Sequence, residues 1–304
     1  GRAIQNLVNI ESDDKVKALI CTQDLKDKDY INSHNLIMVT NKGQVKKTSL
    51  EKYSKPRVNG VAAITIKEGD ELLEAKLTNG ESQIILAVKS GKLVRFEETK
   101  TRPMGRTASG VRGITLKDDT DEVIGMVTVD KDDINDSQIL VVTENGYGKR
   151  TKLVDEDGED VYRITNRGGK GVKTLNITEK TGKLISINAV TDADDLMIIN
   201  KSGLTIRMAI EDLRVMGRAT QGVKLINLKG KDSIAAVTKV MKDDVAEVVV
   251  DEDGNVIETE AIERIKPVLE ILEDEGVEED EEEDDVEEDE DDEASEGDDE
   301  DDEV

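Results

Sequence analysis

Apolar residues in this chain come in short runs that return at a nearly fixed distance. Leu36-Ile37-Met38-Val39, Ile84-Ile85-Leu86-Ala87, Ile139-Leu140-Val141-Val142 and Leu196-Met197-Ile198-Ile199 each have the length of a strand and no polar interruption. Seven residues after the first member of each run stands a glycine: Gly43, Gly91, Gly146 and Gly203. Their contexts, Asn-Lys-Gly, Lys-Ser-Gly, Glu-Asn-Gly and Lys-Ser-Gly, predict hairpins. Four residues past that glycine a base opens the second strand in every repeat: Lys47, Arg95, Arg150 and Arg207.

A second glycine followed by valine announces a third strand, at Gly60-Val61, Gly110-Val111, Gly171-Val172 and Gly222-Val223. Apolar residues follow at plus four (Ile64, Ile114, Leu175, Ile226) and plus six (Ile66, Leu116, Ile177, Leu228), the period-two pattern of a half-buried strand. Val123–Val127 and Leu184–Ile187 alternate in the same way and make a fourth. The second glycines are 50, 61 and 51 residues apart, a spacing that fits four-stranded propeller blades. The expected fold is therefore all-β, a propeller-like ring over residues 1–244 with blades at about 36–83, 84–138, 139–195 and 196–244. Residues 1–35 read as the end of a truncated blade, with a strand over Val16–Thr22 and a polar connection from Gln23 to Asn35. Over 245–269 a closing hairpin (Val245–Val250 with Val256-Ile257) competes with a short helix spaced on Ile262, Ile265, Leu269 and Leu272 and interrupted by Pro267.

Composition supports this reading and splits the chain. Trp is absent and Phe occurs once, so the interior is packed from Ile, Leu and Val, which are strand formers. The net charge is −28, but residues 270–304 hold 26 acids and no base, which leaves 44 acids against 42 bases in residues 1–269. So charged a segment is expected to stay disordered, and as a tethered polyanion to compete for any basic surface on the body. One cysteine, Cys21, excludes an internal disulfide, and the single His34 is too little for a zinc site or a Ser-His-Asp arrangement. A reduced cytoplasmic setting fits, and no run approaches the ~18 apolar residues that cross a membrane.

The candidate chemistry lies in the turns before the third strands. Gly105-Arg106, Arg167-Gly168-Gly169-Lys170-Gly171 and Gly217-Arg218 place arginine four residues before the glycine, and Arg57 stands three before Gly60. Arg102, Arg112, Arg163, Lys173, Arg214 and Lys224 flank these turns. Equivalent turns of a ring lie on one rim, so the expectation is a curved basic band for a bent polyphosphate. The competing reading is that each base bridges to an acid of the adjacent blade, and Asp70, Asp121 and Asp195 are available.

The strand–Gly–base repeat, the Met104-Gly105-Arg106 and Met216-Gly217-Arg218 turns, Asn145-Gly146-Tyr147-Gly148-Lys149-Arg150-Thr151 and Arg167–Gly171 together resemble the C-terminal DNA-wrapping domains of bacterial DNA gyrase A subunits. The resemblance runs from Gly1 to about Met241. It implies a six-bladed β-pinwheel with strands exchanged between blades, which wraps duplex DNA without sequence specificity. This chain would supply the end of the second blade and all of the third to sixth. It adds Arg95, Lys149, Arg150 and Arg207 to the expected DNA contacts. It places catalysis elsewhere, in a holoenzyme that uses ATP and Mg2+, with the gyrase B subunit and a second copy of the gyrase A subunit as partners, in the cytoplasm on the nucleoid. None of Tyr30, Tyr53, Tyr147 or Tyr162 sits in a context that suggests the strand-cleaving nucleophile. The family's box, Gln-Arg-Arg-Gly-Gly-(Lys or Arg)-Gly, belongs to its first blade, whereas here Thr165 and Asn166 replace its first two residues in what would be the fifth.

Two alternatives stay beside this one. The matching domain of topoisomerase IV has fewer or more degenerate blades, and four well-kept repeats argue against it. A protein-binding propeller scaffold is expected to carry Trp-Asp or aromatic signatures, and Trp is absent. A phosphate-loop enzyme is weaker, because no Ser or Thr follows Lys170 and a strand, not a helix, comes next.

Overall fold

The computed structural model describes residues 15–57, 59–230, 232–241, 248–250 and 256–258. The acidic tail expected over 270–304, and the helix weighed near Pro267, lie outside the described residues. Residues 15–22 form no strand: Val16 and Leu19 are 50% and 82% exposed, so this apolar run meets no sheet to bury it. Within the polar connection, α1 (Lys28–Ser33) starts on Asp27, whose carboxylate accepts from the Asp29 and Tyr30 amides.

The first repeat supplies β1 (Asn35–Thr40), β2 (Gln44–Ser49) and β3 (Leu72–Thr78). The second supplies β4 (Gln83–Val88), β5 (Lys92–Glu97), β6 (Val111–Arg112) and β7 (Val123–Val129). From the third come β8 (Gln138–Thr143), β9 (Tyr147–Lys152), β10 (Val172–Lys173) and β11 (Leu184–Val190). The fourth gives β12 (Asp194–Asn200), β13 (Thr205–Ala209), β14 (Val223–Lys224) and β15 (Ile234–Met241), after which β16 (Val248–Val250) and β17 (Val256–Glu258) pair with each other.

The sheet orders are β3-β1-β2-β6, β7-β4-β5-β10, β11-β8-β9-β14 and β15-β12-β13, all antiparallel. The third strand of the second, third and fourth repeats therefore leaves its own blade and closes the outer edge of the preceding one. It is also shorter than the period-two pattern suggests, with two residues in the ladder: Val111 and Arg112 oppose Val45 and Gln44, Val172 and Lys173 oppose Leu93 and Lys92, and Val223 and Lys224 oppose Gly148 and Tyr147. Gly60 and Val61 join no sheet among the described residues.

The second and third blades are covered by apolar cores on both faces, which explains their unbroken apolar runs. On β4, Ile84, Leu86 and Val88 pack with Ile37, Val39 and Val45 of the first blade, while Ile85 and Ala87 pack with Ile139, Val141 and Leu184 of the third. Leu140 and Val142 turn the other way, onto Leu196 and Ile198 of the fourth. The plus-four residues Ile114, Leu175 and Ile226 sit inside these three inter-blade cores, at 1%, 1% and 7% exposure.

The base four residues past the hairpin glycine is turned inward in the first three repeats and is exposed in the fourth. Arg95 is 1% exposed: it donates to Gln83 Oε1, to the Leu153 and Tyr162 carbonyls, and to the Asp160 carboxylate at 2.8 Å. Arg150 is buried on the Leu213 and Glu211 carbonyls and the Asp192 carboxylate. Arg207 pairs with Asp195 at 2.7 Å, and Lys47 with Glu98 at 3.6 Å. Lys149 is fully buried as well, and so is Lys46 at the equivalent place in the first blade. The geometry corrects the expectation of DNA contacts for Arg95, Lys149 and Arg150, because an unbroken ladder and a neighbouring blade cover their side chains. At this position the competing reading, an internal bridge, describes the contacts.

Burial without a carboxylate pushes the Lys149 ammonium down from 10.5 to about 7, and that of Lys46 to about 8. Between these values and 10.5 the unfolded chain holds protons that the folded one has released, so stability rises with pH through that window. Urea midpoints of wild type should carry this rise between pH 7 and 10. Lys149→Met should lose its share, and an identical pH slope in the two proteins would show that Lys149 keeps its ordinary proton affinity.

Candidate nucleic-acid interface

The turns before β6, β10 and β14 are arches with two feet. Each begins with a parallel bridge to the buried base of the preceding blade, Pro103 on Lys47, Ile164 on Arg95 and Val215 on Arg150. The amides of Met104, Thr165 and Met216 then donate to the carbonyls of those bases at 2.7, 2.9 and 2.9 Å. Seven residues on, the arch comes down at Gly110, Gly171 or Gly222. Glycine is required there twice over. φ is +90°, +76° and +78°, and a Cβ would lie 2.7, 2.5 and 2.6 Å from the carbonyl oxygens of Val45, Leu93 and Gly148.

Adjacent arches are tied sideways. Thr65, Thr115 and Asn176, each five residues past its own repeat's glycine, donate their amides to Ala108, Gly169 and Thr220 of the next arch, at 3.3, 2.9 and 3.2 Å. Thr65 and Thr115 add hydroxyl bonds to the Thr107 and Gly168 carbonyls, both 2.6 Å. These links make one band out of segments that are far apart in sequence.

Most of the expected DNA contacts stand on this band. Arg57, Arg102, Arg112, Arg163, Lys170, Lys173, Arg214, Arg218 and Lys224 are exposed, and Arg106 and Arg167 are half-buried. None of them forms an ion pair among the described residues, in contrast to Lys47, Arg95, Arg150 and Arg207 of the second strands. The arch Ile164–Gly171 also brings two repeats together, since Arg167 donates to the Lys100 and Arg112 carbonyls at 3.1 and 3.2 Å and the Gly168 amide to the Gly113 carbonyl at 2.7 Å. Gly169 and Lys170 lie exposed at its crest. Tyr162, beneath its first foot, is fully buried with its hydroxyl 2.8 Å from Thr174 Oγ1, and burial pushes the phenol above its usual range.

Sequence reading missed a cleft of about 390 Å3 at the second foot of this arch, where Lys92, Lys117 and Lys183 join Lys173. These lysines belong to two repeats and have no common spacing, so no periodic pattern marks them. Asp121, in the same cleft, is committed to the Ser90 and Lys117 amides. On the inner edge of the sheets, a cavity of about 520 Å3 between β3, β7, β11 and β15 is lined instead by Asp130, Asp133 and Asp136. The two clefts thus differ in charge, with lysines prevailing in the first and aspartates in the second.

Comparison with known proteins agrees with this geometry. The family model of the DNA gyrase C-terminal domain, beta-propeller, matches residues 34–79, 83–130, 137–191 and 194–241, one match per repeat. The chain is 39% identical over 267 residues to the DNA gyrase A subunit of Staphylococcus aureus strain MRSA252, covering 86% of this chain and 29% of that protein. Against its counterpart in strain NCTC 8325 / PS 47 it is 40% identical over 243 residues, 80% of this chain and 26% of the relative. It therefore spans less than a third of the curated relatives it matches. Among solved structures, the C-terminal domain of DNA topoisomerase IV superposes with a TM-score of 0.69 at 23% identity, over 79% of this chain and 71% of that one. The DNA gyrase A C-terminal domain gives 0.65 at 22%, over 79% and 75%, and at these identities both show the fold alone. On the match of all four repeats, the chain belongs to the β-propeller family of DNA gyrase C-terminal domains.

Proposed function

We propose that this chain binds and wraps duplex DNA without sequence specificity, as the wrapping module of a type IIA topoisomerase of the gyrase kind that introduces negative supercoils. The observation that carries this reading is the band of arches. Its bases are exposed or half-buried and form no ion pair among the described residues, while every base not on the band that the sequence suggested is inward or ion-paired. Phosphate contacts of this kind fix DNA on a curved surface without reading bases, and the wider grip on phosphate offsets the cost of bending the duplex. Arg57, Arg102, Arg106, Arg112, Arg163, Arg167, Lys170, Lys173, Arg214, Arg218 and Lys224 would hold phosphates, with Gly168, Gly169 and Gly171 allowing close approach. Strand cleavage and ATP hydrolysis with Mg2+ would belong to the rest of the gyrase A subunit, its second copy and the gyrase B subunit, in the cytoplasm. No helix of the described residues is long and apolar enough to cross a membrane.

If the band holds phosphates, the logarithm of affinity for duplex DNA falls linearly with the logarithm of salt, by about 0.9 per phosphate neutralised, and mixed sequences bind alike. A flat salt response in a binding titration would overturn the reading. Lys170→Ala, at the crest, should lower that slope by about one while the fold persists, because the arch glycines, both feet and the Arg167 contacts are untouched. Unchanged slope and affinity would remove this arch from the interface.

A further inference from the structure

Lys46 and Lys149 are buried lysines in equivalent places, each three residues past a hairpin glycine and on the strand that an arch crosses. Neither meets a carboxylate. Lys46 Nζ donates to the carbonyls of Ala63 and Arg106, and Lys149 Nζ to the Gly217 carbonyl and to Thr220 Oγ1 at 3.1 Å. Burying an ammonium on neutral acceptors is unfavourable, and an apolar side chain would fill the same space without that loss. All but the Ala63 carbonyl belong to the arches: one is the carbonyl of Arg106 itself, and another that of the peptide joining Gly217 to Arg218.

We infer that Lys46 and Lys149 are positioning residues, posts that hold the arginine-bearing peptides of the first and third arches at a fixed height over the blade they cross. The guanidinium groups of Arg106 and Arg218 then meet phosphate from a backbone already in place. The second arch supplies an internal comparison. Its equivalent of the posts is Val94, 2% exposed, and there the arch arginine is secured from the side through the Lys100 and Arg112 carbonyls. An arch in this chain is held either by a lysine from below or by its own arginine from beside. This inference rests on the band being the DNA face, and one arm of its test does not.

The full chain would be compared with Lys149→Met, which keeps the length and packing of the stem, and with Thr220→Val, which removes one acceptor from an exposed position. Hydrogen exchange of the amides in 216–221 reads the arch directly, and a salt titration with duplex DNA reads its consequence. The expected result is exchange in that arch about tenfold faster, with the arches at 103–110 and 164–171 unchanged. A salt slope smaller by about one should accompany it, although Lys149 is inaccessible to DNA. Thr220→Val should move both readings in the same direction by less. If Lys149→Met fails to fold, Lys46→Met and Thr220→Val decide in its place, on their own arches. Folded variants with wild-type exchange in the arch would overturn the inference, as would lowered global stability with an unmoved slope. If wild type binds no DNA, the wrapping proposal fails, while the exchange measurement still judges the posts.

Discussion

Two backbone residues landing on each of the first three blades join the successive repeats of this structure. Wherever a third strand lands on the preceding blade, it closes an outer edge that would otherwise present unpaired amides and carbonyls. It also carries the plus-four residue into the core between two blades, so that one short exchange does both the edge pairing and the apolar stacking. The glycine at the landing point admits no substitute, because both its positive φ and the neighbouring carbonyl oxygen exclude a side chain. Everything on the outer face follows from that step: a chain that must cross the second strand of a foreign blade has to arch over it, and the arch is where the free bases stand.

Much of this was legible in the sequence because it depends on local period. The apolar runs, the hairpin glycines, the inward Ile114, Leu175 and Ile226 and the basic turns all fall where spacing puts them. Spacing could not assign the third strand to a blade, since its two-residue ladder has no pattern of its own to match against one partner. Nor could it tell the sense of a base inside a strand. Arg106 and Arg150 are alike as letters, but one lies on an arch and the other under a neighbouring blade with Asp192, Glu211 and Leu213 as its acceptors. Val16–Thr22 failed for the opposite reason: an apolar run is a strand only where a sheet receives it. The lysine cleft was invisible because Lys117 and Lys183 reach it from loops of different repeats.

The separation of charge has a physical cause in the same architecture. Lys47, Arg95 and Arg150 in the second strands are buried and need an acceptor for every donor, and Glu98, Asp160 and Asp192 serve that need beside backbone carbonyls. The arches, held by backbone bonds at both feet, need no carboxylate for their stability and carry none in ion-pair contact with their arginines. An acid there would screen the field that a polyanion meets, and the inner cavity, far across each sheet from the arches, takes Asp130, Asp133 and Asp136 instead. A body close to neutral in total can thus present a strongly positive edge.

Because every arch is mounted on the blade before its own, a ligand lying along several arches joins more repeats than it touches. Phosphates held by Arg106 and Arg167 would act on arches whose feet stand on the first and second blades and whose chains continue into the second and third. Anything that binds only the assembled band is linked to the inter-blade contacts, and favours them by its own binding free energy. The link runs in both directions: a loosened exchange at Gly110 or Gly171 lets the arch rise, and the spacing of the guanidinium groups is lost with it. The short third strand is therefore both the shortest element of each ladder and the one through which folding of the repeats and any grip on a curved polyanion would be coupled.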